Sequence, residues 1–132
     1  MKLVHPSLLI SDDDRDFRET LGGVFESRGF HTLLASDGEE ALDIVRHQTI
    51  HLVLLDMHMP RLTGLETIRR IRQLELAIAL PCILISAALD DAIVAEARKQ
   101  QAFSILSKPV RLREINGVVD DALRQSYGWT AE

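Results

Sequence analysis

The stretch LVLLDMHMP, residues 52–60, decides the fold. Its four consecutive apolar residues, with the β-branched Val53 among them, predict a short strand that is buried on both faces. Pro60 lacks the N–H that a sheet ladder requires and therefore ends the strand. The strand closes on the carboxylate of Asp56, at the edge where open α/β sheets bind their ligands. Asp56 is therefore the first candidate functional residue.

Apolar strands and amphipathic helices alternate along the rest of the chain. The other strands are predicted at residues 7–11, 31–35, 81–85 and 103–106. The helices are predicted over residues 15–28, after Ser36 or Asp37, from residue 65 to between 72 and 76, after Asp90 or Asp91, and over 112–123. Alternation with short connections predicts a parallel sheet with helices on both faces.

Length and composition indicate one globular domain. The chain has 132 residues, of which 46% are hydrophobic and 27% charged. We predict a domain over residues 7–125 and a C-terminal tail over residues 126–132, where no pattern is visible. The net charge of −5 argues against direct nucleic-acid binding, which favours a basic surface.

Cysteine usage and the N-terminus bear on location. Cys82 is the only cysteine, so the chain has no disulfide or zinc framework of its own, as expected in a reducing cytoplasm. The six residues before the first strand are too short for a signal peptide. No apolar run approaches the roughly 18 residues of a membrane span. We therefore predict a cytoplasmic protein without membrane contact.

Polar side chains close four of the predicted strands. These residues are Asp12 and Asp13 after the first strand, Asp56 after the third, Ser86 after the fourth and Lys108 after the fifth. Taken alone, each aspartate and Ser86 are typical of a helix cap or a turn, and a lysine before a proline indicates little. Because parallel strands place their carboxyl ends on one edge, however, we expect these groups to converge.

Three converging carboxylates predict a magnesium site. Carboxylates about 4 Å apart repel each other by roughly 1 kcal/mol in water, and by more at lower dielectric. Mg²⁺ takes oxygen ligands and is commonly held by carboxylates together with a phosphate. Lys108 adds an ammonium group for a phosphoryl oxygen. This combination suits phosphoryl transfer, for which an aspartate is a known covalent acceptor.

The same residues resemble the receiver domain of two-component response regulators. The resemblance extends from Leu8 to about Leu123 and depends on four motifs. They are LLISDDD at residues 8–14, LLDMHMP at 54–60 with Gly64 and Leu65 following, ISA at 85–87, and SKP at 107–109. The resemblance implies a flavodoxin-like fold, a doubly wound parallel sheet of five strands in the order 2-1-3-4-5 with five helices.

The resemblance also implies a role for each site residue. Asp56 would be the phosphoacceptor, Asp13 a direct Mg²⁺ ligand and Asp12 a ligand acting mainly through water. The backbone carbonyl of His58 would complete the metal ligands. Ser86 and Lys108 would bind the phosphoryl group, together with the backbone N–H groups of Met57 and Ala87. The Lys108–Pro109 bond is expected to be cis.

Several positions depart from the family pattern or tune it. Ile105 occupies a position where the family often has an aromatic switch residue, so signalling through a ring is not expected. Gln101 stands where a glycine is common before the last strand, which predicts a different loop. His58 and Ala88 lie at positions that tune phosphate lifetime in the family, and His58 either obstructs or orients the attacking water, or is simply a solvated side chain.

The function implied is a phosphorylation-dependent signalling switch. The phosphoryl donor would be a sensor histidine kinase, a phosphotransfer protein or a small phosphodonor. Phosphorylation would shift the face formed by helix four, strand five and helix five, which would control a downstream effector or an output domain and could pair two copies into a homodimer. The domain would not be an enzyme beyond its own Mg²⁺-dependent phosphorylation and dephosphorylation.

Two alternatives belong to other functional classes. A pseudo-receiver would act through protein contacts without phosphate, but such proteins usually lack a core residue, and all five are present here. A hydrolase of the haloacid-dehalogenase type requires a second aspartate two residues after the nucleophile, where this chain has His58. Nucleotide binding is disfavoured because no glycine-rich loop follows the first strand.

Overall fold

The computed structural model describes residues 3–131, which contain five strands and five helices in strict alternation. Their bounds are β1 Ser7–Ser11, α1 Arg15–Ser27, β2 His31–Ala35, α2 Gly38–His47, β3 Leu52–Asp56, α3 Gly64–Arg72, β4 Cys82–Ser86, α4 Asp91–Lys99, β5 Ser104–Ser107 and α5 Leu112–Tyr127. No helix within residues 3–131 combines the length and the apolar character of a membrane span.

The strands form one parallel sheet in the order β2-β1-β3-β4-β5, as predicted. All five residues of the central strand β3 are buried, because helices cover the sheet on both faces. Ser11 pairs with Leu55 of β3, and Ser86 pairs with Ser107 of β5. The register therefore brings the carboxyl ends of β1, β3, β4 and β5 to the same edge.

Alternate residues of the strands supply two separate cores. Leu8 and Ile10 pack with Phe25 of α1 and Leu123 of α5 on one face of the sheet. On the other face, Leu9 packs with the apolar sides of α2, α3 and α4. The period of two in strand side chains thus gives β1, β3, β4 and β5 apolar side chains in both cores, whereas β2 contributes to one.

Helix starts follow from short polar side chains. Asp14, Asp37 and Asp90 cap α1, α2 and α4 by accepting backbone N–H groups of the first turn. Thr63 caps α3 in a reciprocal capping box with Glu66. The hydrogen bond from the Thr63 backbone lowers the pKa of the Glu66 carboxyl. Of the two candidates predicted for α2 and for α4, the structure selects Asp37 and Asp90.

The C-terminal end differs from the patternless tail predicted from residue 126. α5 continues to Tyr127 and ends at Gly128, whose φ of 69° is the left-handed cap that favours glycine. The Tyr127 hydroxyl donates to the His51 carbonyl at 2.7 Å, and the Trp129 ring packs against Phe30. The last residue of the predicted tail lies outside the described part of the chain. Contacts distant in sequence therefore order residues 126–129.

The loop between α4 and β5 is held without the glycine that is common there. Gln101 adopts a φ of 60°, in the left-handed region. The Arg72 guanidinium, at the end of α3, donates to the carbonyls of Gln100 and Gln101 at 3.0 Å and to that of Leu80 at 2.6 Å. These bonds fix the loop in a conformation that is costly for a residue with a Cβ.

We predict that Gln101→Gly raises the free energy of unfolding by roughly 0.5–1 kcal/mol, because glycine removes the left-handed cost. Urea unfolding measures the change. Gln125→Gly, at an exposed position inside α5, is the matched control and should lower stability by about 1 kcal/mol. A loss of stability in Gln101→Gly would contradict this account of the loop.

Tyr127 is the only tyrosine, so its ionisation is directly visible by ultraviolet absorbance. Burial raises the pKa of Tyr127 to about 12. We expect its native titration near that value and the unfolded titration near about 10. The neutral phenol therefore stabilises the fold below the unfolded pKa, and this contribution is lost as pH rises through the folded pKa. A native titration at the unfolded value would show that the phenol is not buried; Tyr127→Phe provides the blank.

Candidate functional site

Three carboxylates meet at the carboxyl edge of the sheet. Asp12 and Asp13 follow β1, and Asp56 ends β3. One oxygen from each lies within 4.8 Å of the others. Asp12 and Asp56 are buried, with 1% and 5% of their surface exposed, whereas Asp13 is exposed. The convergence predicted from the strand ends is therefore present.

The Lys108 ammonium lies between the two buried carboxylates. Its Nζ is 2.9 Å from Asp12 Oδ2 and 3.2 Å from Asp56 Oδ1, and it lies 4.5 Å above the centre of the Phe17 ring. Burial alone lowers the pKa of Lys108, but the bonds and charges of the two aspartates outweigh it, so the pKa is raised. Lys108 is therefore a fixed cation at neutral pH.

The charged form of Asp56 is disfavoured even though the Lys108 ammonium lies beside it. Its pKa is raised by burial first and by the charge of Asp12 second, while Lys108 acts in the opposite direction. Asp13 adds a smaller repulsion. The site thus holds more negative charge than one ammonium group offsets, and a bound cation would relieve the excess.

The donor set fits a hard divalent cation. All three side chains offer carboxylate oxygens, which are the ligands that Mg²⁺ and Ca²⁺ prefer. The oxygens of Asp12 already accept hydrogen bonds from the backbone N–H of Asp14 and from Lys108, both at 2.9 Å. Asp13 faces solvent. The cluster could therefore hold a metal ion with Asp13 and Asp56 as the more accessible ligands.

Ser86 and His58 lie beside the carboxylates. Ser86, at the end of β4, is fully buried, and its hydroxyl accepts the backbone N–H of Ala88 at 3.2 Å. His58 is exposed, with its Nε2 at 3.5 Å from the Ser86 hydroxyl. Ala87 and Ala88 are exposed on the loop that follows. The serine, the imidazole and this loop thus form one side of the site.

The Met57 backbone is placed differently from the prediction. Its N–H donates to the Ile85 carbonyl at 2.7 Å, because the ladder between β3 and β4 continues one residue beyond Asp56. This donor is therefore already bonded to β4, rather than free for a phosphoryl group. The neighbouring prediction of a cis Lys108–Pro109 bond is confirmed.

Ile105 lies in β5, opposite Leu84 of β4. Its side chain is half-buried and packs against the core that contains Leu9 and Ala97. The position is thus occupied by a packed aliphatic group, as the absence of an aromatic residue in the sequence indicated.

Sequence reasoning missed two contacts around the site. Phe17 lies in the helix predicted over residues 15–28, and its ring lies under the Lys108 ammonium. Arg61, which follows Pro60, pairs with Asp37 at 2.7 Å. Nothing in the sequence connects residues 24 positions apart in different loops. The only sequence signal for the contact between Phe17 and Lys108 is the position of this ring three residues after the acidic run.

A separate apolar groove of about 810 Å³ lies at the opposite edge of the sheet. It is lined by residues near the starts of the strands and the end of α5, including Val4, His51, Ile78 and Tyr127. None of the acidic site residues lines it. The groove is therefore distinct from the carboxylate site.

We predict that Asp56→Asn stabilises the protein by about 1 kcal/mol at neutral pH, because it removes a carboxylate repelled by its neighbours. A raised folded pKa means that the protonated form favours folding below the unfolded value of 3.8, an advantage lost as pH rises through the folded pKa. The gain of Asn over Asp should therefore fade in acid. Thermal unfolding across pH tests this, with the exposed Asp43→Asn as control; a loss of stability at neutral pH would contradict it.

Known proteins with similar sequences belong to one family. The family model for the response regulator receiver domain matches residues 8–120. The transcriptional regulatory protein CpxR of Escherichia coli is 32% identical over 125 residues, which cover 95% of this chain and 52% of CpxR. Response regulator RR06 of Streptococcus pneumoniae is 31% identical over 121 residues, covering 92% and 54%. The chain thus spans about half the length of these curated relatives.

Solved structures share the fold. A response regulator receiver protein from Pseudomonas putida superposes with a TM-score of 0.84 at 32% identity, covering 90% of this chain and 98% of that one. A CheY-like receiver domain from Methanospirillum hungatei has a TM-score of 0.89 at 19% identity, with coverages of 95% and 98%. The chain therefore belongs to the response regulator receiver domains, a family of phosphorylation-dependent signalling domains.

Proposed function

We propose that Asp56 accepts a phosphoryl group in a Mg²⁺-dependent reaction and that this switches the domain between two states. The convergence of Asp12, Asp13 and Asp56 with the Lys108 ammonium at one sheet edge is the observation that carries the proposal. Phosphoryl transfer depends mainly on positioning and on neutralising charge, which such a site supplies. The domain acts as a switch and not as an enzyme with a separate substrate.

The phosphoryl donor is a sensor histidine kinase, a phosphotransfer protein or a small phosphodonor. An Asp56 oxygen attacks the phosphorus atom, and the bond from phosphorus to the donor nitrogen or oxygen breaks. The donor leaves with the electron pair of that bond, and Asp56 becomes an acyl phosphate. Water later attacks the phosphorus atom, the bond from phosphorus to the Asp56 oxygen breaks, and the carboxylate is regenerated as inorganic phosphate and a proton are released.

Asp13 and Asp56 hold the metal directly in this proposal, together with the backbone carbonyl of His58. Asp12 acts through water, which agrees with the hydrogen bonds that already occupy its oxygens. Bound Mg²⁺ supplies positive charge for the phosphoryl oxygens and the attacking carboxylate. The carboxylates would position the metal, and the excess negative charge that raises the pKa of Asp56 supports a bound cation.

Lys108 and Ser86 bind the transferred group. The Lys108 ammonium is 3.2 Å from Asp56 and exchanges this partner for a phosphoryl oxygen. The Ser86 hydroxyl donates to another oxygen, and the Ala87 N–H is a further donor. Because the Met57 N–H is bonded to Ile85, it contributes only if that bond is shared.

His58 and Ala88 set the lifetime of the acyl phosphate. His58 Nε2 lies 3.5 Å from the Ser86 hydroxyl, where an imidazole either obstructs or orients the attacking water. Ala88 is small and leaves the other side of the site open. The alternative, which the exposure of His58 also fits, is a solvated side chain on which the phosphate lifetime does not depend.

The signal passes from the site to the face formed by α4, β5 and α5. Phosphate shifts the populations of two states by contacts that are better in one of them. Ile105 lies on β5 and transmits this change by packing, without the rotation of an aromatic ring. The recipient is an effector protein or an output domain in the cytoplasm, and two copies pairing through the same face give a homodimer.

A phosphate-independent pseudo-receiver is the alternative. It requires only an interaction surface, whereas Asp12, Asp13, Asp56, Ser86 and Lys108 are all present and, apart from the exposed Asp13, lie largely buried around one point. Burying a carboxylate costs free energy unless it is paired with a cation or coordinates a metal ion. The geometry therefore favours the phosphorylated switch.

Intact mass after incubation with acetyl phosphate tests the proposal. We expect one phosphoryl group that requires Mg²⁺ and is released by hydroxylamine, and none on Asp56→Asn. The exposed Asp43→Asn is the control and should be phosphorylated like the wild type. An adduct that persists in Asp56→Asn would overturn the assignment, whereas Mg²⁺ and beryllofluoride binding without a stable adduct would indicate a short lifetime. Failure to bind beryllofluoride would support the pseudo-receiver.

A further inference from the structure

The loop that follows Asp56 is anchored at its far end by an ion pair. Residues 57–63 leave β3, and Arg61 Nη1 lies 2.7 Å from Asp37 Oδ2. The Asp37 side chain is 8% exposed and that of Arg61 is 64% exposed. Since β2 is separated from β3 by β1, the Arg61–Asp37 pair connects loops on either side of the β1 end. It therefore spans the strand that carries Asp12 and Asp13.

Further hydrogen bonds hold Asp37, the partner of Arg61, in place. The second oxygen of Asp37 caps α2 by accepting the Glu40 N–H at 2.8 Å, and the Glu40 carboxylate accepts the Ser36 N–H at 2.9 Å. Both oxygens of Asp37 therefore have partners in a buried setting. Without Arg61, this carboxylate would lose its only ion-pair partner within residues 3–131.

The loop and the turn before α2 are also connected through Ser11 of β1 and by direct packing at Gly38. The Ser11 hydroxyl, adjacent to Asp12, lies 3.1 Å from the Asp37 carbonyl and 3.2 Å from Met59 Sδ. A Cβ on Gly38 would lie 2.6 Å from the Leu62 Cβ. The turn before α2 and the loop after β3 therefore pack with no room for an added side chain.

Arg61 adopts this position at a conformational cost. Its φ of 69° lies in the left-handed region, which a glycine would occupy without strain. An arginine at such a position needs a compensating interaction, and the pair with Asp37 is that interaction. The residue type therefore serves the ion pair and not the backbone conformation.

We infer that Arg61 is a positioning residue for the metal site. The Arg61–Asp37 pair fixes the far end of the segment from Met57 to Pro60, and this segment carries the His58 carbonyl that the proposed function assigns to the metal. The inference deepens the proposed function and rests on it, because it concerns the Mg²⁺ site of the same domain.

The direction in which Mg²⁺ affinity changes when Arg61 is replaced distinguishes a positioning role from a purely electrostatic effect. Arg61 is a cation near an acidic cluster, so removing its charge alone should strengthen Mg²⁺ binding. Loss of a positioning contact should instead weaken it, by roughly 10-fold as for other residues that orient metal ligands. Glycine accepts the left-handed backbone, so Arg61→Gly removes the ion pair without adding strain.

Isothermal titration of Mg²⁺ into the full chain is the test, with wild type, Arg61→Gly, Arg61→Lys and Arg69→Ala compared. We expect about 10-fold weaker binding in Arg61→Gly, partial recovery in Arg61→Lys and no change in Arg69→Ala, an exposed arginine of α3. Amide hydrogen exchange of metal-free Arg61→Gly should show faster exchange at Leu62 and Gly64, whose N–H groups bond within the loop.

Unchanged or tighter Mg²⁺ binding by Arg61→Gly would overturn the inference, even if hydrogen exchange increased. This result would leave the proposed function intact as long as the wild type binds Mg²⁺ and is phosphorylated. A wild type that binds no Mg²⁺ would instead overturn the proposed function, and the role of Arg61 with it. Thermal unfolding of each variant confirms that the comparison is made between folded proteins.

Discussion

The site depends on the ion pairs that the Lys108 ammonium forms with two buried carboxylates, those of Asp12 and Asp56. Asp12 and Asp56 lie at the ends of neighbouring strands, and burial together with the charge of Asp12 raises the pKa of Asp56. Lys108 offsets part of this cost from the end of β5, two strands away from β3. A buried charge without a partner is strongly destabilising, so the three side chains form one unit.

The surrounding fold places these three side chains at the carboxyl edge of the sheet. The strands before these groups are largely apolar and buried; Asp56 is the last residue of β3, and Asp12 and Lys108 directly follow β1 and β5. The α3 helix starts close against β3: a Cβ on Gly64 would lie 2.6 Å from the Asp56 carbonyl oxygen and from a methyl carbon of Leu84. Such close packing limits the movement of the loop that carries His58.

Local signals in the sequence predicted most of the secondary structure, with β4 and β5 each lying one residue later than predicted. β1, β2 and β3 have the predicted bounds, because apolar runs of strand length bounded by polar residues have few other interpretations. The caps at Asp14, Asp37 and Asp90 also follow from local chemistry. The end of α5 did not, since Tyr127 and Trp129 are ordered by His51 and Phe30, which are distant in sequence. The site's membership was predictable for the same reason as the strands, because each residue closes one of them.

By itself, the sequence determined the parallel α/β architecture and the five polar groups at its edge, because hydrophobic periodicity and strand ends are local properties. Only the tertiary structure decided the partners of those groups. The bridging position of Lys108, the bond between the Met57 N–H and Ile85, and the pair of Arg61 with Asp37 each join residues at least 24 positions apart. Their distances depend on strand order, register and loop packing, which no local pattern specifies.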